Sequence, residues 1–263
     1  MLRNLLATAA RALESAGWRL VPSLAAAGAV PEASASDLDT LRRVRDYTMT
    51  SPERQWALIN AVRHVVRSHV PGDIVECGVW RGGAAMAAAL TLRDAGSADR
   101  QIWLYDTFAG MTAPGVDDLK SADGTEARRT WLRLRRADGA NDWCRATLAE
   151  VRANMATTGY PSGLTRFVQG PVKQTLRDPA NLPASIAILR LDTDWYESTR
   201  TELEMLYPRL SNGGVLIIDD YGHWQGARKA VDEYFAAGAG PMLLNRIDDT
   251  GRIGIKYVGI TGA

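Results

Sequence analysis

Apolar residues recur along this chain with two periods, and the switches between them outline the elements. Leu2, Leu5, Leu6, Ala9 and Leu13 share one helical face. They predict an N-terminal packing or dimerising helix. A targeting peptide fits less well, because Arg3 and Arg11 enclose only a weak apolar run and no small-residue cleavage site follows closely. Residues 21–37 are rich in Ala, Ser and Pro without periodicity and read as a linker or loop. Two helical segments follow. The second opens at Ser51-Pro52-Glu53, with Ser51 as cap and Pro52 in the first turn, and buries Trp56, Leu58, Ile59, Val62, Val65 and Val66.

From Asp73 onward the period alternates. Short apolar runs at 74–77, 101–105, 164–168, 186–191 and 215–218 predict strands, with two further candidates at 242–247 and 253–258. Helical stretches at 83–93, 142–157, 198–207 and 226–236 separate them. A polar tract at 112–141 interrupts the alternation. Strands spaced by helices imply βαβ units. The expected fold is therefore α/β: a seven-stranded, mostly parallel, doubly wound, Rossmann-like sheet with an N-terminal helical extension. Residues 1–37 form the helix and linker, and 38–263 the main domain, with a lid insertion at 112–141. In such sheets ligands sit beyond the carboxyl ends of the strands, where every motif described next falls.

Composition narrows the partners. The 263 residues carry 31 basic and 30 acidic side chains, a formal charge of +1. Such a balance gives no field to hold nucleic acid or an anionic membrane. No apolar run of about 18 residues is present to span a bilayer. Cys77 and Cys144 form neither a disulfide framework nor a zinc spacing, which fits a cytoplasmic protein and two buried packing residues. Eight tryptophans against three phenylalanines hint at a binding cleft.

The first motif is Glu76-Cys77-Gly78-Val79-Trp80-Arg81-Gly82-Gly83, an acid closing a strand before a glycine-rich turn. Its spacing is not the G-x-G-x-x-G that a pyrophosphate needs. A carboxylate here suits an ammonium group instead. An ordinary strand–helix turn is the plainer account, and the motif alone does not exclude it. Asp106 ends the second strand, where a carboxylate can bond the two hydroxyls of a ribose or merely cap a turn. The strongest constellation is acidic: Asp192-Thr193-Asp194 ends the fourth strand and Asp219-Asp220 the fifth. Converging carboxylates repel one another unless a cation neutralises them, and oxygen-only ligands suit Mg²⁺, Mn²⁺ or Ca²⁺ rather than zinc. Solvated turn aspartates are the alternative. His223, just beyond, is equally a general base or a packing or substrate contact. His64 and His69 read as helix-surface residues.

These stretches together resemble the macrocin O-methyltransferase family, which methylates sugars of macrolide and aminocoumarin antibiotics. The likeness rests on Tyr47-Thr48-Met49, the glycine turn at 76–83, Asp106-Thr107-Phe108-Ala109-Gly110-Met111, LRLDTDWYEST at 189–199 and GGVLIIDDYGHWQGARKAVDEYF at 213–235. Trp143-Cys144, Thr158-Gly159-Tyr160-Pro161 and Asn245-Arg246-Ile247-Asp248 extend it, so that it covers about residues 38–258. The resemblance implies a class I methyltransferase fold, with S-adenosylmethionine and Mg²⁺ (or Mn²⁺) as cofactors. It implies Asp192, Asp219 and Asp220 as metal ligands and Asp194 as the proton acceptor, with His223 the other candidate. Glu76, Gly78, Asp106 and Thr107 would surround the cofactor, with Gln169 and Gly170 near the adenine. Trp80, Gly82, Gly83, Phe108, Thr48 and Met49 complete the expected cofactor set. A small glycosylated acceptor and a homodimer follow from the same reading. A catechol or other vicinal diol is the competing acceptor. A nicotinamide oxidoreductase would want the missing G-x-G-x-x-G, and a non-catalytic nucleoside-binding protein would need no acidic cluster.

Overall fold

The computed structural model describes residues 30–240 and 242–257. The expected N-terminal helix lies outside the described residues. The chain divides after Ala33, and the unit from Ser34 onward carries the whole sheet.

That unit opens with α1 (Ala35–Val44), capped by Ser34, whose hydroxyl accepts from Asp37 N while the Asp37 carboxylate accepts from Ser34 N. This box makes residues 35–37 the first turn of a helix rather than the end of a linker. Helix α2 (Pro52–Arg67) follows, capped by Ser51. Then come β1 (Asp73–Cys77), α3 (Gly83–Asp94), β2 (Ile102–Asp106), α4 (Ala127–Arg133), α5 (Leu148–Ala156) and β3 (Thr165–Gln169). The short α6 (Val172–Thr175), β4 (Ile186–Leu191), α7 (Tyr196–Leu206), β5 (Leu210–Ile218) and α8 (Gln225–Ala236) lead to β6 (Asn245–Arg246) and β7 (Arg252–Ile255).

The seven strands run in the order β3-β2-β1-β4-β5-β7-β6. Strands β1 to β5 pair in parallel; β7 runs antiparallel to β5, and β6 antiparallel to β7. Successive residues feed opposite layers, as the pleat requires. Ile74, Ile188 and Ile217 pack with α1, α2 and α3, whereas Val75, Leu189 and Ile218 pack with α6, α7 and α8. Burial on both faces explains why the central strands read as continuous apolar runs. All six residues of β4 are buried, Arg190 among them.

Several boundaries differ from the sequence pattern, among them the fifth strand, which begins at Leu210 rather than at 215. The helix expected over 142–157 starts only at Leu148. The buried Asn141 side chain accepts Trp143 N–H at 2.9 Å and donates to Trp131 O, and Cys144 takes a left-handed φ of 49°. These local bonds compete with a helical turn until Thr147 caps α5. The sixth strand shrinks to two residues, because Asp248 accepts the N–H groups of Thr250 and Gly251 and folds the chain straight into β7. The seventh ends at Ile255. The tract at 112–141 is less solvated than its charges suggest. Asp118 is buried and accepts the N–H of Tyr196 at 2.8 Å and of Gly115 at 2.6 Å. Its arginines 128, 129, 133, 135 and 136 are exposed. Of the histidines, His69 is exposed but follows the helix, while His64 is half-buried against the Gly213 carbonyl at 3.0 Å. No described helix is long and apolar enough to cross a membrane.

Candidate active site at the sheet switch point

Strand order reverses between β1 and β4, and a crevice opens there beyond the carboxyl ends. It holds a cavity of about 370 Å³, a size that suits a small molecule. Backbone approach defines its floor. Gly78 has φ +83°, and a Cβ on it would lie 1.8 Å from the Asp192 carbonyl oxygen, so only glycine lets β1 and β4 turn so closely together. Gly83 likewise abuts the Tyr47 carbonyl, which sets the 47–50 loop against the start of α3. Gln55 secures that loop by donating to the hydroxyls of Thr48 and Thr50 at 3.1 and 2.5 Å.

Most of the expected cofactor residues line this cavity: Thr48, Met49, Glu76, Gly78, Trp80 and Gly83 on one side, with Asp106, Thr107 and Gly170 nearby. Three do not. Gly82 serves the turn as helix cap with φ +93°, Phe108 is buried against Phe167, and Gln169 is exposed at the end of strand β3. Asp106 caps the turn, as one of its two expected roles requires, and also lines the cavity. It accepts Val79 N at 2.7 Å, Trp80 N at 3.1 Å and Phe108 N at 2.7 Å. Glu76 is buried; one oxygen accepts from Arg190 at 2.7 Å, and the other has no partner among the described residues. Burial pushes its carboxyl up to about 7 against the pull of Arg190. A buried, half-paired acid of this kind suits a cationic group.

At the other end the acids converge. Asp192, Asp219 and Asp220 each offer a carboxylate oxygen within 4.8 Å of the others. Asp194 and His223 line the same space. Burial raises Asp192 and Asp220 well above the usual carboxylate range, despite Arg190 beside the former, and lifts Asp194 to about 7 with help from Asp192. The charge of Asp194 adds to the effect of burial on Asp220, whose Oδ2 has no hydrogen-bond partner among the described residues. Burial, then Lys120 and Arg54, hold His223 below its ordinary value, so it is neutral near pH 7. Cys144 lines the cavity rather than the core; burial, then the aspartates, raise its thiol beyond reach of ionisation.

Two arginines partly offset this charge. Arg190 Nη1 donates to Glu76 and Asp192 at 2.7 Å each, and Nη2 to Asp219 at 2.5 Å. Burial works against its charge, but the three carboxylates keep the guanidinium protonated. Arg54 donates to the second oxygen of Asp219 and, at 2.9 Å, to Asp248, which Ser51 also holds at 2.6 Å. Thus Glu76, Asp192, Asp194, Asp219 and Asp220 face two guanidiniums, one of them shared with Asp248. Fully ionised, these acids outnumber the guanidiniums, every donor is an oxygen, and each carboxylate oxygen engaged by an arginine retains a lone pair. That set fits a hard divalent cation.

The sequence pattern did not single out Arg54, Arg190 or Glu202. A charged residue inside the buried run ILRLD was a usable signal for Arg190, since such a residue must be paired. Glu202 is fully buried on α7; Thr193 donates to its Oε1 at 2.8 Å, and Oε2 has no partner among the described residues. Burial pushes this carboxyl up to about 8. Between its ordinary value near 4.5 and 8, the folded state holds a proton that the unfolded chain has lost, so stability falls as pH rises. The loss at Glu202 is on the order of 3–5 kcal/mol. Glu202→Gln keeps an acceptor for Thr193 and removes the titration. Its melting temperature is expected to fall less than the wild type's between pH 6 and 9; parallel curves would contradict the assignment.

Comparison with known proteins places this geometry. Residues 25–253 match the family model described as Macrocin-O-methyltransferase (TylF). A Streptomyces olivaceus protein named 8-demethyl-8-(2,3-dimethoxy-alpha-L-rhamnosyl)-tetracenomycin-C 4'-O-methyltransferase is 38% identical over 205 residues, covering 78% of this chain and 74% of its own. The demethyldecarbamoylnovobiocin O-methyltransferase of Streptomyces niveus is 37% identical over 190 residues, 72% of this chain and 68% of its own. Among solved structures, the O-methyltransferase NovP superposes with a TM-score of 0.70 at 33% identity, covering 81% of this chain and 83% of that one. A calicheamicin methyltransferase, CalS11, shares the fold at a TM-score of 0.57 and 18% identity, covering 85% of this chain and 94% of its own. Sheet order, switch-point cavity and sequence agree: the chain is an O-methyltransferase and belongs to the macrocin O-methyltransferase family.

Proposed function

We propose that this enzyme moves the methyl group of S-adenosylmethionine to a hydroxyl on a sugar of a secondary metabolite, with a divalent cation held by Asp192, Asp219 and Asp220. The observation that carries the reading is the meeting of those carboxylates with Asp194 in one cavity that also contains Glu76 and Asp106. Glu76 offers its unpartnered oxygen to the amino-acid ammonium of the cofactor, and Asp106 its remaining lone pairs to the ribose. Trp143 and Met111 give the cavity apolar surface for a sugar face. Relatives named for methylating a rhamnosyl tetracenomycin and a novobiocin precursor support an acceptor of this kind. A cytoplasmic homodimer completes the proposal.

S-adenosylmethionine bound here would supply an electrophilic methyl group, its S–CH3 bond breaking to leave S-adenosylhomocysteine, and a cation held by the aspartates would supply a Lewis acid that makes the acceptor hydroxyl more acidic. Asp194 takes the hydroxyl proton. The protein's remaining contribution is to hold acceptor and donor in line, which cuts the entropic part of the barrier. His223, neutral and in the same cavity, contacts the acceptor.

We further assign the tract at 112–141 as a lid. Thr112 and Trp143, at or next to its two ends, line the cavity, and Asp118 anchors it beside α7. Trypsin is expected to cut at its exposed arginines more slowly once S-adenosylhomocysteine and Mg²⁺ are added, and unchanged cutting would refute a lid. The function itself is tested by incubating the enzyme with S-adenosylmethionine and a panel of glycosylated metabolites and catechols, with and without EDTA. Transfer to a sugar that EDTA abolishes and Mg²⁺ restores is the expected result. Full turnover in excess EDTA would overturn the cation, and transfer confined to catechols would overturn the sugar.

A further inference from the structure

Asp194 stands in an unusual backbone conformation, with φ +68°, immediately after β4. Aspartate tolerates this region better than most residues, but a side chain there needs something to fix its direction. The Trp224 indole provides it: Nε1–H donates to Asp194 Oδ1 at 2.8 Å. The donor is itself immobile. Trp224 is 2% exposed, its backbone N–H donates to the Asp220 carbonyl at 3.0 Å, and its ring lies edge-on to Trp195 at 5.0 Å and Trp143 at 6.0 Å. Trp195 is fixed in turn by donating from its own indole to the Thr112 carbonyl at 3.0 Å. A three-indole block therefore stands behind one oxygen of one carboxylate.

We infer that Trp224 is a positioning residue for methyl transfer: its N–H holds Oδ1 of Asp194 and so fixes where Oδ2 stands to receive the acceptor's proton. This rests on the proposed role of Asp194 as proton acceptor. An indole is a neutral donor with one proton and one direction, so it orients the carboxylate without the competing charge that an arginine would bring. The block links two strand ends. Trp224 follows Asp219-Asp220 beyond β5, and Asp194 follows β4, so the contact also sets the separation between the proton acceptor and the acidic cluster. A loss of alignment of about 1 Å is enough to cost on the order of a hundredfold in rate.

Trp224→Phe keeps an aromatic ring in the block and deletes the donor. The expected result is a fall in kcat of about ten- to a hundredfold, with acceptor KM and calorimetric affinity for S-adenosylhomocysteine within about twofold of wild type. Trp103→Phe is the control. It deletes an indole N–H that likewise serves a carboxylate, Asp73 Oδ2 at 2.9 Å, but at the amino end of β1 and away from the cavity, so kcat should stay near wild type while the melting temperature falls. Equal losses of kcat in the two variants would reduce Trp224 to core packing and overturn the inference. Unchanged kcat in Trp224→Phe would overturn it as well, provided that Asp194→Asn is impaired. If Asp194→Asn were itself fully active, the role of Asp194 would fail instead, which separates the two outcomes.

Discussion

Asp194→Asn is expected to lower kcat by about 10²–10⁴-fold, the usual worth of general-base assistance, while affinity for S-adenosylhomocysteine survives. The substitution is nearly isosteric, and asparagine tolerates a left-handed backbone as aspartate does. Its amide oxygen can still accept from Trp224, so geometry persists and only basicity goes. Asp194 has the properties a proton acceptor needs: it lines the cavity, and burial and the neighbouring Asp192 lift it to about 7. Rapid-quench measurement of methyl transfer in a single turnover is the appropriate readout, because it separates chemistry from product release. A single-turnover rate equal to wild type would move the role to His223, an imidazole in the same cavity that burial holds below its ordinary value.

The largest effect on stability is expected from Arg190→Leu. The guanidinium serves three carboxylates at once from a position that is 4% exposed. Its removal leaves Glu76, Asp192 and Asp219 buried with one charged partner fewer, and breaking such a network costs about 3–5 kcal/mol. The pH dependence has a definite sign. Glu76 already sits near 7 in the folded protein against about 4.5 in the free side chain, and losing its cation raises it further. A carboxyl raised in the folded state binds a proton that the unfolded state lacks, so the variant gains stability as pH falls. The deficit relative to wild type should therefore be greatest above pH 8 and shrink toward pH 5. Chemical denaturation of both proteins across that range checks it. A deficit independent of pH would mean that lost packing, not lost charge, dominates.

Both expectations concern residues that the sequence exposes unequally. Asp194 was readable because LRLDTDWYEST closes an apolar strand, and strand ends are where parallel sheets present chemistry. Gly78 and Asp106 were readable for the same reason. The seven strands could be counted from periodicity, and their central members placed, because a strand buried on both faces has to be apolar throughout. Periodicity failed where local side-chain bonds replaced helical ones, as Asn141 does before α5 and Asp248 does between β6 and β7. Of the two residues that the family resemblance put beside the adenine, Gly170 lines the cavity and Gln169 is exposed at the end of β3.

What the sequence alone determined is the alternation of elements and the positions of the acids, because both follow from short-range spacing. Which charges neutralise one another was settled only by tertiary structure. Arg190 reaches Glu76 across 114 residues of chain, and Arg54 reaches Asp219 across 165 and Asp248 across 194. The indole that directs Asp194 comes from 30 residues away and from a different strand end. No local pattern encodes such pairings. They arise because parallel strands bring all their carboxyl ends to one rim, where buried charge has to be met by whatever partner the fold delivers.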